Sequence, residues 1–263
     1  MDPTQAAFLG LIQGITEWLP ISSTGHLRIA MHFTGLTVPL LFDVILHFGT
    51  LTVIFLFFRL DIKNILGAIV HKEFKSETGK LIPLILVGTI PTILIGFFLG
   101  STLDAYFSNL AALGGGFILN GVLLYASKTG NERKENITYL EALIIGTAQG
   151  IAIIPSISRS GITIVAALLL GIQREKAFKF SFLLSIPSIL GALGLTIYEQ
   201  HNLLNQTGIG FTEIAVGVAV SIIVGLFSLK FLWRTLASRK FHFFALYCTV
   251  VGVLLVGLSF SGL

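Results

Sequence analysis

Long apolar runs constrain this chain more than any other feature of its sequence. Several of them approach or exceed the ~18 residues that cross the hydrocarbon core of a bilayer as a helix. The runs cover about residues 40–58, 81–103, 108–127, 176–197, 211–233 and 241–261. Only 11% of the 263 residues are charged and the mean hydropathy is +0.90, which is far from the composition of a soluble globular domain. We therefore predict an all-α polytopic membrane protein whose single membrane domain spans residues 1–263.

The chain also repeats itself at a nearly constant offset. Gln149 lies 136 residues after Gln13, and the stretch 155–161 follows the stretch 20–25 at 135 to 136 residues. An ordered series of matches at one offset is typical of membrane proteins built from inverted repeats, which place their site where the repeats meet. We therefore predict an inverted-topology repeat, with repeat 1 over about 5–127 and repeat 2 over about 139–261.

Each predicted repeat starts with an apolar segment that is interrupted by proline, glycine and hydroxyl residues. The two segments cover about 5–38 and 139–174, and their arms are too short to cross ~30 Å of hydrocarbon comfortably. We expect each segment to form a re-entrant helical hairpin that dips into the membrane and returns, followed by three transmembrane helices. Because three is an odd number of spans, the second repeat should insert upside down, and the two hairpin tips should meet near the midplane.

Basic residues indicate the orientation. Of the 17 lysines and arginines, 15 fall in predicted loops on one side of the membrane, and the other two, Arg28 and Arg159, belong to the hairpins. The basic loops cover about 59–80, 128–138, 174–179 and 230–240, whereas the opposite loops, about 104–108 and 198–210, hold none. The positive-inside rule therefore predicts a multi-pass protein of the cell (plasma) membrane with its basic loops in the cytoplasm. Because these charges lie between spans, the net charge of +4 does not indicate a nucleic-acid partner, and we expect none.

The second hairpin tip carries an arginine at membrane depth. Burying arginine there costs about 2.5–3.5 kcal/mol on insertion scales, so Arg159 marks a site. A guanidinium beside serine hydroxyls and a new helix N-terminus is a suitable cradle for phosphate. The polar residues of this tip are Ser156, Ser158, Arg159, Ser160 and Thr163.

The first tip supplies a carboxylate and an imidazole. Gln13 and Glu17 are four residues apart and share a helical face, and an acid inside an apolar arm is usually functional. His26 follows Ser23 by three residues, within reach of a hydroxyl that it could activate as a base. The polar residues of this tip are Gln13, Glu17, Ser22, Ser23, Thr24 and His26.

A carboxylate next to a phosphate site predicts a divalent cation. Glu17 would repel a bound phosphate unless Mg²⁺ or Ca²⁺ bridged the two, and such cations take one or two carboxylates plus phosphate oxygens. A lipid diphosphate would suit this arrangement, because its head could lie at the midplane while its tail enters the bilayer. His47 lies four residues after Asp43 in the next span, and the sequence leaves open whether the pair lines this pocket or bonds only internally.

Two motifs, one in each hairpin, resemble those of the undecaprenyl pyrophosphate phosphatase family, the bacitracin-resistance family. They are Gln13-x-x-x-Glu17 with Pro20-x-Ser22-Ser23-Thr24-Gly25-His26, and Pro155-x-x-Ser158-Arg159-Ser160-x-x-Thr163. The resemblance covers essentially the whole chain and implies an integral membrane hydrolase that converts undecaprenyl diphosphate to the monophosphate carrier for cell-wall synthesis. It also implies a fold of inverted repeats with two re-entrant regions. Gln13 stands where the family has Glu or Gln, and Ser156 stands where it usually has Gly, which would cost modest strain if φ is positive there.

The resemblance carries roles over to these residues. The candidate catalytic residues are Glu17, Ser23, His26 and Arg159. Ser23 would be the nucleophile and His26 its base, unless His26 attacks phosphorus itself or activates water while Ser23 only binds. Glu17 would hold the cation or orient a water, and Arg159 would bind the diphosphate oxygens. The candidate substrate-binding residues are Gln13, Ser22, Thr24, Ser158, Ser160 and Thr163.

A transporter is the alternative interpretation. Inverted repeats whose broken segments meet at the midplane are also transporter architecture, so the chain could be a transporter or flippase for a polyprenyl phosphate or a small anion. The set of Glu17, Ser23 and His26 favours the enzyme, because transport of an anion does not require it. We expect a membrane-embedded protein with a lipid diphosphate substrate, and we leave a homodimer open as its assembled form.

Overall fold

The computed structural model describes residues 1–36, 40–106, 109–200 and 210–261, and helices make up most of this part. In chain order they are α1 (Pro3–Thr16), α2 (Ser23–Thr34), α3 (Leu40–Phe57), α4 (Arg59–Val70), α5 (Leu81–Tyr106), α6 (Leu110–Ala126), α7 (Tyr139–Ile151), α8 (Arg159–Leu169), α9 (Arg174–Gln200), α10 (Phe211–Ala237) and α11 (Phe244–Phe260). Short 3₁₀ turns lie at Ser127–Thr129 and Phe241–Phe243. The described residues contain no β-strand beyond an isolated bridge between Lys134 and Ile172, so the predicted all-α class is confirmed.

Among the described residues, five helices are long and apolar enough to cross a membrane, which confirms a multi-pass membrane protein. They contain the stretches Leu81–Gly100, Leu110–Thr129, Arg174–Tyr198, Phe211–Ala237 and Phe241–Phe260. The remaining predicted span, about 40–58, forms α3, whose apolar part Phe42–Phe57 is shorter. Parts of the first predicted hairpin, of the two predicted loops without lysine or arginine, and of the C-terminus lie outside the described residues, at 37–39, 107–108, 201–209 and 262–263.

Helix α4 corrects the prediction that 59–80 is only a connecting loop. Charged residues at its start favoured a loop, but the apolar residues between them recur with helical spacing. Leu66 and Val70 are exposed along this helix. Asp61 Oδ1 lies 2.7 Å from Lys179 Nζ, and this ion pair ties α4 to the start of α9.

Helix partners are exchanged between the two predicted repeats. α1 packs along α10 and α7 packs along α5, so the first helix of each broken segment lies against a long helix of the other repeat. α6 and α11 pack on each other, as do α3 and α9. These contacts are reciprocal, as a two-fold relation between the halves would make them. The inversion of the repeats relative to a membrane, and their boundaries at about 5–127 and 139–261, stay predictions.

Glycine permits the close contact between α6 and α11. A Cβ at Gly114 of α6 would lie 2.7 Å from the Gly252 carbonyl oxygen of α11, and a Cβ at Gly252 would lie 2.6 Å from the Gly114 oxygen. A side chain of any size would therefore push the two helices apart. Small residues let membrane helices approach this closely, and van der Waals contacts then stabilise the pair.

Both predicted interruptions are present as breaks, one between α1 and α2 and one between α7 and α8. The hydroxyls of Ser22 and Ser158 each accept a hydrogen bond of 3.2 Å from the third following backbone N–H, and so cap α2 and α8. Ser156 has a φ of 79°, so the strain expected at this position is present, at about 1–2 kcal/mol. Its hydroxyl offsets part of that cost by donating to the Leu113 carbonyl at 2.8 Å. The re-entrant path of the two breaks through a membrane stays a prediction.

Candidate active site

Glu17, the first residue after α1, joins the two hairpin tips. Its side chain is 4% exposed, and its Oε1 pairs with the guanidinium of Arg159, the first residue of α8. Its Oε2 accepts a hydrogen bond from the Ser23 hydroxyl at 2.7 Å and another from the Gln13 amide at 3.1 Å. The structure thus brings together one acid, one guanidinium, one hydroxyl and one amide of the predicted set, and both carboxylate oxygens are in use.

His47 on α3 adds a further element to this cluster. Its Nε2 faces Glu17 Oε2 at 3.4 Å. Its Nδ1 lies 2.9 Å from the Asp43 carbonyl oxygen and 3.6 Å from Oδ1 of the same residue. The sequence left open whether Asp43 and His47 line the pocket or bond only to each other. In the structure they do both, because His47 contacts Asp43 and also faces Glu17.

Asn120 holds the two tips against each other. This buried residue of α6 donates from Nδ2 to the Pro20 carbonyl at 3.0 Å, and its Oδ1 accepts from the Ser158 N–H at 3.1 Å. Ser160 adds a second link by donating to the Trp18 carbonyl at 3.1 Å. Sequence reasoning missed Asn120, although a lone amide in a span of apolar and glycine residues indicates a polar contact at depth.

The remaining hydroxyls of the second tip support its backbone. Ser158 and Ser160 place their Oγ atoms 3.1 Å apart, and Thr163 donates to the Arg159 carbonyl at 2.8 Å. Because α8 begins at Arg159, which pairs with Glu17, the N-terminus of this helix and the positive end of its dipole lie next to the Glu17 carboxylate. In the first tip, Thr24 is exposed at the start of α2, apart from the buried cluster.

His26 does not contact its predicted partner Ser23. Its Nδ1 contacts the Ser22 carbonyl oxygen and its Nε2 contacts the Tyr247 hydroxyl, both at 2.7 Å, and the ring stacks on that of Tyr247. Because both nitrogens are engaged and the Ser23 hydroxyl donates to Glu17, the predicted base–nucleophile pair is not formed. The sequence held no signal for Tyr247, which lies in the last apolar span.

An apolar cavity of about 390 Å³ lies beside His26, between α1 and α2. Tyr247 of α11 also lines it, and its apolar wall includes Phe8, Ile12, Ile15, Ile29 and Phe33. Such a lining suits a hydrocarbon ligand with few polar groups.

Oxygen atoms suited to a divalent cation are present around Glu17. The buried Gln13 Oε1 and Asp43 Oδ1 have no hydrogen-bond partner, and oxygens of this kind are the ligands that Mg²⁺ and Ca²⁺ prefer. Within the described ranges, no group of three or more His, Cys, Asp or Glu residues is arranged to hold a metal ion. The residues therefore fit a cation if phosphate oxygens of a ligand complete its coordination.

Known proteins resemble this chain over its full length. The family model described as bacitracin resistance protein BacA matches residues 6–254. An undecaprenyl-diphosphatase from Carboxydothermus hydrogenoformans is 41% identical over 100% of this chain and 99% of its own length. Proteins of the same name from Korarchaeum cryptofilum and Halothermothrix orenii are 38% and 41% identical, over 98% of this chain and 100% and 99% of their own lengths. The chain therefore belongs to the bacitracin resistance protein BacA family.

Proposed function

We propose that this protein hydrolyses undecaprenyl diphosphate to the monophosphate and inorganic phosphate, and so returns the lipid carrier for cell-wall or glycan synthesis. One observation carries the proposal: Glu17 shares its carboxylate between the Ser23 hydroxyl, at 2.7 Å, and the Arg159 guanidinium. A proton acceptor, a hydroxyl nucleophile and a phosphate ligand are therefore in contact in one buried cluster. The relatives named undecaprenyl-diphosphatase, which match over their whole lengths, support the same activity.

Arg159 is the main anion ligand of the proposed site. Its side chain is 22% exposed, against 4% for that of Glu17. The guanidinium can therefore pair with Glu17 on one side and offer further N–H donors to the diphosphate on the other. The N-terminus of α8 adds its positive dipole at the same place. We assign Ser158, Ser160 and Thr163 to shaping this helix start, which supports binding.

Ser23 is the proposed nucleophile, and Glu17 rather than His26 is its base. As Ser23 Oγ bonds to the terminal phosphorus, its proton passes to Glu17 Oε2 and the phosphorus–oxygen bond to the monophosphate breaks. Glu17 passes this proton to the departing monophosphate oxygen. Water then adds its oxygen to the phosphoserine phosphorus as the bond between phosphorus and Ser23 Oγ breaks, one water proton reaches Ser23 Oγ through Glu17, and inorganic phosphate leaves. Positioning and charge neutralisation supply most of the catalysis in phosphoryl transfer, which suits a cluster with these contacts.

A divalent cation, Mg²⁺ or Ca²⁺, is part of the proposal. Glu17 and the unpaired carbonyl oxygen of Gln13 would hold it, together with phosphate oxygens of the substrate. When bound, it neutralises negative charge on the diphosphate.

The apolar cavity beside His26 and Tyr247 is the proposed place for the first isoprene units of the lipid tail.

We also propose that the basic end of the molecule faces the cytoplasm. Ion pairs join several of the predicted basic loops at one end: Lys176 Nζ lies 2.7 Å from Glu77 Oε1, and Arg174 pairs with Glu132. The hydrogen bond from Lys176 lowers the pKa of the Glu77 carboxyl, so this pair stays ionised at neutral pH. A cysteine placed at Lys75 should react with a membrane-impermeant thiol reagent only after the membrane of intact cells is opened.

Phosphate release from a polyprenyl diphosphate by the detergent-purified protein tests the proposed activity. Arg159→Ala and Glu17→Ala should each lower the rate by at least about 100-fold, as expected for loss of a phosphate ligand or of a base. Arg133→Ala removes the same charge from an exposed loop and should match the wild type. Near-wild-type release by either cluster variant would contradict the assignment. Movement of labelled substrate across a bilayer without phosphate release would favour a transporter.

A further inference from the structure

Helix α3 reaches the site through His47, a residue that the proposed chemistry does not use. Its Nε2 faces the same Glu17 oxygen, Oε2, that accepts the Ser23 hydroxyl, at 3.4 Å against 2.7 Å. The other oxygen, Oε1, pairs with Arg159. The carboxylate is thus held at one oxygen by the second hairpin and contacted at the other by α3.

The imidazole itself is fixed by its own helix. Nδ1 of His47 lies 2.9 Å from the Asp43 carbonyl oxygen, which can only accept, so Nδ1 carries a hydrogen and the orientation of the ring is set. Asp43 Oδ1 lies 3.6 Å from the same nitrogen. On the next turn, the Thr50 hydroxyl donates to the His47 carbonyl at 2.8 Å. The ring therefore has a defined position relative to Glu17.

Without His47, the Ser23 hydroxyl and the Gln13 amide would have to hold Oε2 by themselves, and the geometry around Glu17 has a competing arrangement. Arginine and carboxylate groups favour a bidentate pairing with two parallel hydrogen bonds. If Glu17 turned both oxygens toward Arg159, the Ser23 hydroxyl would lose its acceptor, and fewer guanidinium donors would be left for a phosphate. Because Nδ1 carries a hydrogen, Nε2 can donate to Oε2 only when the ring is the doubly protonated imidazolium, and an imidazolium held against Oε2 opposes that rotation.

We propose that His47, held by Asp43, is a positioning residue that keeps Glu17 Oε2 on the Ser23 hydroxyl and leaves Arg159 available to the substrate. The inference rests on the proposed function, because it takes Glu17 as the base. It extends the site from the two hairpins to a third element, α3.

Two amide variants of His47 test the roles of its two ring nitrogens separately. The amide nitrogen of His47→Gln can replace Nε2 and reach Glu17, whereas that of His47→Asn replaces Nδ1 and reaches only Asp43. In the phosphate-release assay, His47→Asn should lower kcat by about 10–100-fold with little change in KM, as is typical when an orienting partner is lost. His47→Gln should retain most of the wild-type kcat. His71→Asn, at an exposed position after α4, is the control and should match the wild type.

Equal kcat values for the two amide variants, or a loss confined to KM, would overturn the proposal. A second measurement does not depend on activity. The unfolding midpoints of His47→Asn, Glu17→Gln and the double variant should be non-additive, because the two side chains are in contact, and additive midpoints would also overturn the proposal. If the wild type released no phosphate, the proposed function would be wrong. The unfolding midpoints of the two single variants and the double variant would still show whether His47 and Glu17 interact.

Discussion

Replacing Asn120 with leucine should loosen the contact between the two hairpin tips. Leucine has the same number of side-chain heavy atoms and the same branching at Cγ, but no polar side-chain atoms. The Ser158 N–H, now 3.1 Å from the asparagine Oδ1, would lose its partner, and the Pro20 carbonyl, now 3.0 Å from Nδ2, would keep the weak donor Cys248 Sγ at 3.6 Å. A buried group without its hydrogen bond costs about 1–3 kcal/mol, so the loss at Ser158 alone costs that much and the weakened contact at Pro20 adds to it. At roughly 2–4 °C per kcal/mol for a chain of this size, the unfolding midpoint should fall by at least about 2 °C.

The chain contains its own reporter for this experiment. Its single cysteine, Cys248, is buried on α11 and lies 3.3 Å from Asn120 Nδ2. A thiol-reactive fluorophore should therefore label it as α11 separates from α6 on heating, and earlier in Asn120→Leu than in the wild type. Phosphate release should fall as well, because the contact between Glu17 and Arg159 depends on the tips staying together. Asn64→Leu, on the exposed side of α4, is the control. The reasoning would be refuted if Asn120→Leu were labelled at the same temperature as the wild type and released phosphate at the same rate.

Gly114→Ala should destabilise the protein by about 1–3 kcal/mol, because its Cβ would lie 2.7 Å from the Gly252 carbonyl oxygen. Gly115→Ala is its matched control in the same midpoint measurement, since a Cβ there would meet nothing within 4 Å, and equal midpoints for the two variants would contradict the described packing. Removing divalent cations with EDTA should lower phosphate release, and added Mg²⁺ should restore it, because Glu17 and Gln13 supply only part of a coordination shell. Release that did not respond to EDTA would rule out the proposed cation.

Features that depend on local sequence could be predicted well. The apolar runs predicted the membrane helices, the interruptions around Pro20 and Pro155 predicted two breaks, and the two motifs predicted the family, which the comparison confirms. Helix α4 was missed because its charged residues outweighed a helical apolar spacing. The cytoplasmic basic loops and the inverted insertion depend on a membrane, so they stay predictions, and a homodimer, which depends on a second chain, stays open.

Contacts between distant helices could not be predicted from spacing. His26 was expected to activate Ser23 because the two are three residues apart, yet its Nε2 contacts the Tyr247 hydroxyl, 221 residues later. Asn120 likewise joins two segments that are each far from it along the chain. Which side chain a helix turns toward the site depends on its rotation against its neighbours, and that rotation is set by packing that a single sequence does not display. The assignment of Ser23 and Glu17 as a pair therefore needed the structure.

The packing of α1 on α10 ties assembly of the site to the synthesis of α10. The contact between Gly10 and Gly217 joins residues 207 positions apart. At about 5–20 residues per second, the first hairpin leaves the ribosome roughly 10–40 s before its packing partner exists. Arg159 follows Glu17 by 142 residues, so the Glu17 carboxylate lacks this ion-pair partner during part of that interval. A chain stalled before α10 would carry both motifs and still have no surface on which the first one could dock.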